Sequence, residues 1–274
     1  MKSNTINRIA LYIFLLICSI LIVFPLLWML SVALKTDAEA IMYPPRVLPT
    51  RLYFDHFKTI LKDAVFMRFF LNSFIVAGIA TVLSTTSSAL AGFIFAKFRF
   101  VGRQFLFYAL LVTIMIPFQT YMVPLYLLAM KFKVLNSYVG LIFPFIVSSF
   151  GIFFMRQNMQ SIPDSLLDAA KIDGASNIKL FRLIAIPLSI SSMSVLAIFQ
   201  FLTTWSEFIW PLLITNRKKL YVLELGLSLF QNEYYVNYGL LMAGATLSII
   251  PVFLVYLVLR RYILEGIHLT GLKM

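Results

Sequence analysis

Of 274 residues, 61% are hydrophobic and only 12% are charged, which excludes a water-soluble globular domain because too little polar surface remains to face solvent. A formal charge of +12 raises nucleic acid as a partner, but no stretch gathers five or more basic residues and the charges sit between apolar runs; lipid headgroups are the partner expected, not nucleic acid. The lone Cys18 excludes intrachain disulfides and any CxxC metal or redox motif.

The charges divide the chain. No Asp, Glu, Lys or Arg lies between Arg8 and Lys35, Arg68 and Lys97, Arg103 and Lys131, Lys133 and Arg156, Arg182 and Glu207, or Glu233 and Arg260. Each window reaches the roughly 20 apolar residues that span a bilayer. Apolar runs without strict alternation exclude a barrel, and in hydrocarbon the helix satisfies its own backbone. The expectation is an all-α polytopic membrane protein, one integral domain over 1–274, with six spans at about 9–34, 69–96, 104–128, 138–155, 185–214 and 238–260.

The first window is longer than the h-region of about 7–15 residues in a signal peptide, so it reads as a retained span. The loop after it holds His56; with His268 near the other end, on the opposite side of the membrane, it forms no metal cluster, and both read as solvated surface residues. Lys97, Arg99 and Arg103 make a tight basic turn with no acid in it. The third span contains Pro117, which frees a carbonyl, and Gln119, whose amide needs a partner; either kinks the helix or lines a pore. The fifth contains Glu207, the one acid inside a predicted span. A helix starting near Ala185 puts Glu207 about 33 Å along, near the edge of a core about 30 Å thick, where Trp205 and Trp210 read as belt aromatics. A helix starting deeper on the near side puts it at mid-depth on a cavity. Both readings stay open.

An even number of spans puts both termini on one side. That side holds 12 Lys plus Arg in 57 residues and the other 11 in 68, so charge favours cytoplasmic termini only slightly. The absence of GxxxxGK[ST], GxSxG and HExxH leaves a P-loop or hydrolase reading without residues.

The segment 156–187 encodes structure of its own. Pro163 suits a first helical position and Gly174 the residue past the end. Asp164 complements the helix dipole. Leu166, Leu167, Ala170 and Ile172 offer an apolar surface while Asp168 and Lys171 stay polar. A second short helix, about Asn177 to Ile184, leads through Pro187 into the fifth span, giving a helical hairpin at the membrane face. An interfacial helix lying on lipid is the competing reading.

Asp168-Ala169-Ala170, Asp173-Gly174-Ala175, Phe181, Ile184 and Pro187 resemble the EAA loop of ABC importer membrane subunits, with Asp168 where the family has Glu. The charge survives but reaches about one methylene less, altering salt-bridge geometry. Further along the chain, Ile116-Pro117-Phe118-Gln119, Val123-Pro124-Leu125-Tyr126, Trp205-Ser206-Glu207-Phe208-Ile209-Trp210-Pro211-Leu212 and Arg261-Tyr262-Ile263-Leu264-Glu265-Gly266 resemble the second membrane subunit of maltose-type carbohydrate importers. The resemblance implies a type I importer permease in a bacterial inner membrane with cytoplasmic termini. It implies a homologous membrane subunit, two ATPase subunits that bind ATP and magnesium, and an extracellular sugar-binding protein as partners, with no cofactor on this chain. Leu167, Asp168, Ala169, Ala170, Asp173, Gly174, Ala175, Phe181 and Pro187 then couple the chain to the ATPases. Gln119, Tyr121, Trp205, Glu207 and Trp210 are the substrate-cavity candidates, with Phe118 and Tyr126 also able to stack on sugar rings. The segment 213–237, with Tyr221, Tyr234, Tyr235 and Tyr238, is implied to meet the binding protein. A permease for another solute, or a membrane scaffold that moves none, are the alternatives.

Overall fold

The computed structural model describes residues 2–229 and 237–270, with side chains over 7–228 and 237–262. Tyr234, Tyr235 and the side chain of His268 therefore lie outside the described residues, as do the side chains of 263–265 in the tail motif. Among the described residues all regular structure is helical. Three helices contain unbroken apolar stretches of membrane length: α1 (Lys2–Ala33), α4 (Ala64–Lys97) and α15 (Tyr238–Thr270). Between α1 and α4 lie the short α2 (Asp37–Ala40) and α3 (Asp55–Lys62).

The other three expected spans are bent, which corrects the continuous helices read from the sequence. The third is α5 (Arg103–Ile114) and α6 (Phe118–Lys131), meeting at 105°. Pro117 causes the break, since it lacks an N–H and keeps the residue before it out of the helical region. The fourth is α7 (Tyr138–Ile142), extended by a 3-10 turn Phe143–Phe145, and α8 (Ser149–Gln160), at 47°. Here Pro144 lies in the turn, and the Ser148 side chain accepts from Gly151 N at 3.0 Å to start the new helix. The hairpin follows: α9 (Asp164–Ile172), then α10 (Asn177–Leu180), a π turn Phe181–Ala185 and α11 (Ile186–Leu188). The expected second helix thus widens after Leu180, because Pro187 cannot donate to the preceding turn. A 78° bend at Ser189 leads into α12 (Ile190–Trp205), and a further break at 206–208 into α13 (Ile209–Ile214). Last before α15 comes α14 (Leu223–Leu229). With each bent pair as one crossing, the described helices supply six.

The chain gathers into two compact units. In the first, Met1–Arg68 with Gly226–Ile250, α1 exposes its apolar surface along its length, as a lipid-facing helix does. The loop after it is tied by side chains: Lys35 is buried, its ammonium donating to Arg46 O and lying 4.9 Å from the Trp28 ring centroid. Glu39 accepts from Thr50 N at 2.8 Å. His56, expected on the surface, is 5% exposed, with Nε2 3.0 Å from Lys35 O and 3.5 Å from Asp37 Oδ1. Gly239 leaves the room it fills, since a Cβ there would strike its ring.

The second unit, Phe69–Leu225 with Pro251–Met274, holds two apolar clusters. One joins Phe93 of α4, Met155 and Met159 of α8, Leu167 of α9, Leu180, Phe181 and Leu196 of α12. The other surrounds Trp210, with Val76, Ala129, Leu141, Ile142 and Ile214. Because lipid is as apolar as these side chains, close packing holds the helices together. Ser88 and Gly92, four residues apart on α4, let α8 approach: a Cβ on Gly151 would come within 3.1 Å of Ser88 Cβ, and one on Gly92 within 2.7 Å of Met155 Cβ and 2.8 Å of Arg156 N.

Candidate functional site

Three of the four helix breaks of the second unit converge on one cavity of about 560 Å³. Thr113, Ile114 and Ile116 come from the α5–α6 break, Phe145, Val147 and Ser148 from the α7–α8 break, and Glu207 from the α12–α13 break. Irregular backbone at membrane depth is tolerated where it lines a cavity, so the breaks and the cavity explain each other. Thr113 lies ten residues along α5 and Gln200 ten residues along α12, a rise of about 15 Å in each helix, half the roughly 30 Å of a hydrocarbon core.

The wall combines rings with small polar groups. Phe118, Tyr121, Phe145 and Phe150 supply the rings, and Thr113, Ser148, Ser149, Gln200 and Thr203 the hydroxyls and amide. Several are held in place. The Thr113 and Ser149 hydroxyls are 2.7 Å apart. Gln200 accepts from Ser84 Oγ and donates to Thr204 Oγ1, each at 3.0 Å, and Phe118 packs edge-on against Tyr121 at 5.3 Å. Glu207 Oε1 accepts from Trp210 N at 3.0 Å, which caps α13 with a carboxylate at its positive end. Glu207 is the one ionisable acid among the lining residues, and no Lys or Arg joins it.

Of the five cavity candidates, Tyr121 and Glu207 lie on this wall. Gln119 is exposed outside it. Trp205 and Trp210 are buried behind it, which corrects their reading as belt aromatics: Trp205 stacks on Phe201 at 5.5 Å, and Trp210, fully buried, donates Nε1–H to Gly140 O at 2.9 Å. Sequence reasoning missed most of the polar wall, Thr113, Ser148, Ser149, Gln200 and Thr203, together with Phe145 and Phe150; an amide inside an apolar span was the signal for Gln200.

At the other end of the unit the hairpin sits on the α4–α8–α12 cluster. Pro163 occupies the cap position just before α9 instead of its first turn. The C-terminus closes as a Schellman motif: Ala175 N donates to Ala170 O and Gly174 N to Lys171 O, both at 2.9 Å, with Gly174 at φ +81°. The apolar residues of α9 split between two faces, against the single surface expected. Leu167 is buried and Ala170 half-buried, whereas Ile172 is 87% exposed. Ile178 and Leu183 are likewise 70% and 71% exposed, so the hairpin presents three large apolar side chains on its outer surface. Asp168 lies on the exposed side, bonded to Lys171 at 3.2 Å; Ala169, Asp173, Gly174 and Pro187 are exposed, Ala175 is half-buried, and Phe181 packs inward on Phe93. Lys97 at the end of α4 anchors the hairpin, its ammonium donating to Ile162 O and, at 2.7 Å, to Asp164. That bond holds the Asp164 carboxyl below its ordinary pKa, helped by the charge of Lys97.

The sequence profile described as binding-protein-dependent transport system inner membrane component matches residues 88–268. The arabinooligosaccharides transport system permease protein AraQ of Bacillus subtilis is 32% identical over 98% of this chain and 97% of its own length. The sn-glycerol-3-phosphate transport system permease protein UgpE of Salmonella typhi is 33% identical over 95% and 97%. The diacetylchitobiose uptake system permease protein NgcG of Streptomyces coelicolor is 31% identical over 91% and 83%. In fold, the chain is similar to one of a bacterial ABC transporter involved in the import of alginate, with a TM-score of 0.83 at 21% identity over 96% of this chain and 98% of that one. The chain belongs to the family of inner membrane components of binding-protein-dependent transport systems.

Proposed function

We propose that this importer subunit passes an uncharged sugar or oligosaccharide, and that ATP hydrolysed on two partner ATPase subunits drives the passage through the hairpin. The observation that supports the substrate is the cavity wall: rings beside hydroxyl and amide groups suit a polyhydroxy solute, whose apolar faces stack while its hydroxyls bond. Two relatives named for oligosaccharide or disaccharide uptake point the same way. The relative named for glycerol 3-phosphate offers the competing reading, an anionic solute. A phosphate calls for Arg, Lys or a helix N-terminus, and the one ionisable acid on this wall, Glu207, repels it.

Coupling follows from packing. Leu167 and Phe181 of the hairpin share a cluster with Met155 and Leu196. Six residues before Met155 on α8 is Ser149, and four after Leu196 on α12 is Gln200, both on the cavity wall. An ATPase groove closing on Ile172, Ile178 and Leu183 therefore displaces, through rigid helices, two walls of the cavity. In this reading the termini and hairpin are cytoplasmic, a homologous membrane subunit supplies the facing half of the channel, and an extracellular sugar-binding protein delivers the solute. This chain binds no cofactor; ATP and magnesium act on the ATPases.

The test is uptake by the assembled complex in proteoliposomes with its binding protein. ATP-dependent accumulation of a neutral oligosaccharide is expected, with ATPase activity stimulated by the loaded binding protein. Accumulation of phosphorylated solutes alone contradicts the substrate, and ATPase activity that no solute stimulates moves the chain to a scaffold role.

A further inference from the structure

The turn between α4 and α5 carries a basic pocket that transport leaves unused. Arg99, Phe100, Gly102, Arg103, Gln104 and Phe105 line a shallow, open depression of about 290 Å³. The third cation of the turn, Lys97, is turned toward the hairpin and Asp164. Asp164 also feels Arg99, but at longer range than the Lys97 bond. Arg103 donates Nη1 to Phe98 O at 3.0 Å, leaving most of its five N–H donors, and Arg156 nearby adds to the positive field. Gly102, at φ +80°, precedes α5 with no side-chain acceptor on the helix N-terminus, so that end favours an anion as well. Beside these cations the turn exposes apolar side chains, Val101 completely and Phe105 to 75%. Exposed apolar side chains next to arginines, in a short connection between two membrane spans, belong at headgroup level, where the rings enter the acyl layer and the guanidinium groups stay among phosphates.

We propose that this pocket binds the phosphate of an anionic phospholipid, with Arg99 and Arg103 on the phosphate oxygens and Val101 and Phe105 among the acyl chains. A lipid fits better than a soluble phosphate, because a free anion leaves the apolar half of the turn in water.

The purified complex is placed in nanodiscs of phosphatidylcholine with increasing phosphatidylglycerol, and retained lipid is read by native mass spectrometry. The wild-type complex is expected to retain phosphatidylglycerol preferentially. Arg99→Gln is expected to weaken that preference about fivefold, and Arg99→Gln with Arg103→Gln roughly thirtyfold, while Arg103→Lys, which keeps the charge, restores most of it. Lys58→Gln, an exposed cation elsewhere, leaves it unchanged. Equal retention by wild type and the double variant overturns the proposal. So does saturation of the site by inorganic phosphate in detergent, which identifies a soluble anion, or loss of the preference in Lys58→Gln, which reduces it to net charge.

Discussion

Gly174 stands at φ +81° with open space where a Cβ would be, so a side chain there meets backbone strain and no neighbour within the chain. Gly174→Val is expected to cost about 1–2 kcal/mol at the α9 terminus and to uncouple the complex: ATPase activity persists while uptake falls at least tenfold. Gly174→Asn, which tolerates the left-handed region, keeps most uptake; equal loss in both variants points to a steric role instead. Glu207 has two roles that substitution separates. Glu207→Gln keeps an acceptor for Trp210 N and is expected to preserve assembly, whereas Glu207→Ala uncaps α13 at about 1 kcal/mol. Loading a phosphorylated sugar onto the cavity becomes easier in both if the carboxylate screens charge; unchanged discrimination in uptake assays removes that role. At this scale the sequence was least legible. Trp205, Trp210 and His56 look like surface or interface residues in one dimension, and each is buried by partners, Phe70, Gly140 O and Lys35 O, that lie far along the chain.

Helices and their junctions were read more securely, because the charge-free windows and the Pro163-to-Gly174 frame are local signals. The breaks were not. Pro117 announced one, but the π turn after Leu180 follows from Pro187 on the far side of the hairpin, and the end of α12 at Trp205 depends on how the helices close around the cavity. Gly92→Leu forces α4 off α8 at Met155 and is expected to destabilise the subunit by about 1–3 kcal/mol, seen as a lower thermal midpoint; an unchanged midpoint means that the crossing relaxes freely. Hairpin anchorage has a pH signature. Asp164 titrates lower when held by Lys97, so its contribution is present above the unfolded value near 4 and is lost as pH falls through the depressed folded value. The midpoint of the wild type is therefore expected to exceed that of Asp164→Asn above about pH 5 and to converge with it in stronger acid. A constant difference down to pH 3 contradicts the ion pair.

For the whole molecule, composition excluded a soluble domain, the windows counted the crossings, and the EAA-like residues indicated the transport family that the profile match shows. What composition could not carry is the cavity, which exists only where three breaks from distant parts of the chain meet. The same unit joins that cavity to a hairpin that exposes the large apolar side chains of Ile172, Ile178 and Leu183. The most direct measurement is purification of the chain from its native membranes in mild detergent, with mass spectrometry of its companions, for the wild type and for a variant with residues 163–175 scrambled. An ATPase and a second six-span subunit are expected with the wild type, and loss of the ATPase from the variant while the chain stays folded in the membrane. A stable wild-type chain recovered without any ATPase, or an ATPase retained when the hairpin is scrambled, contradicts ATPase coupling through the hairpin.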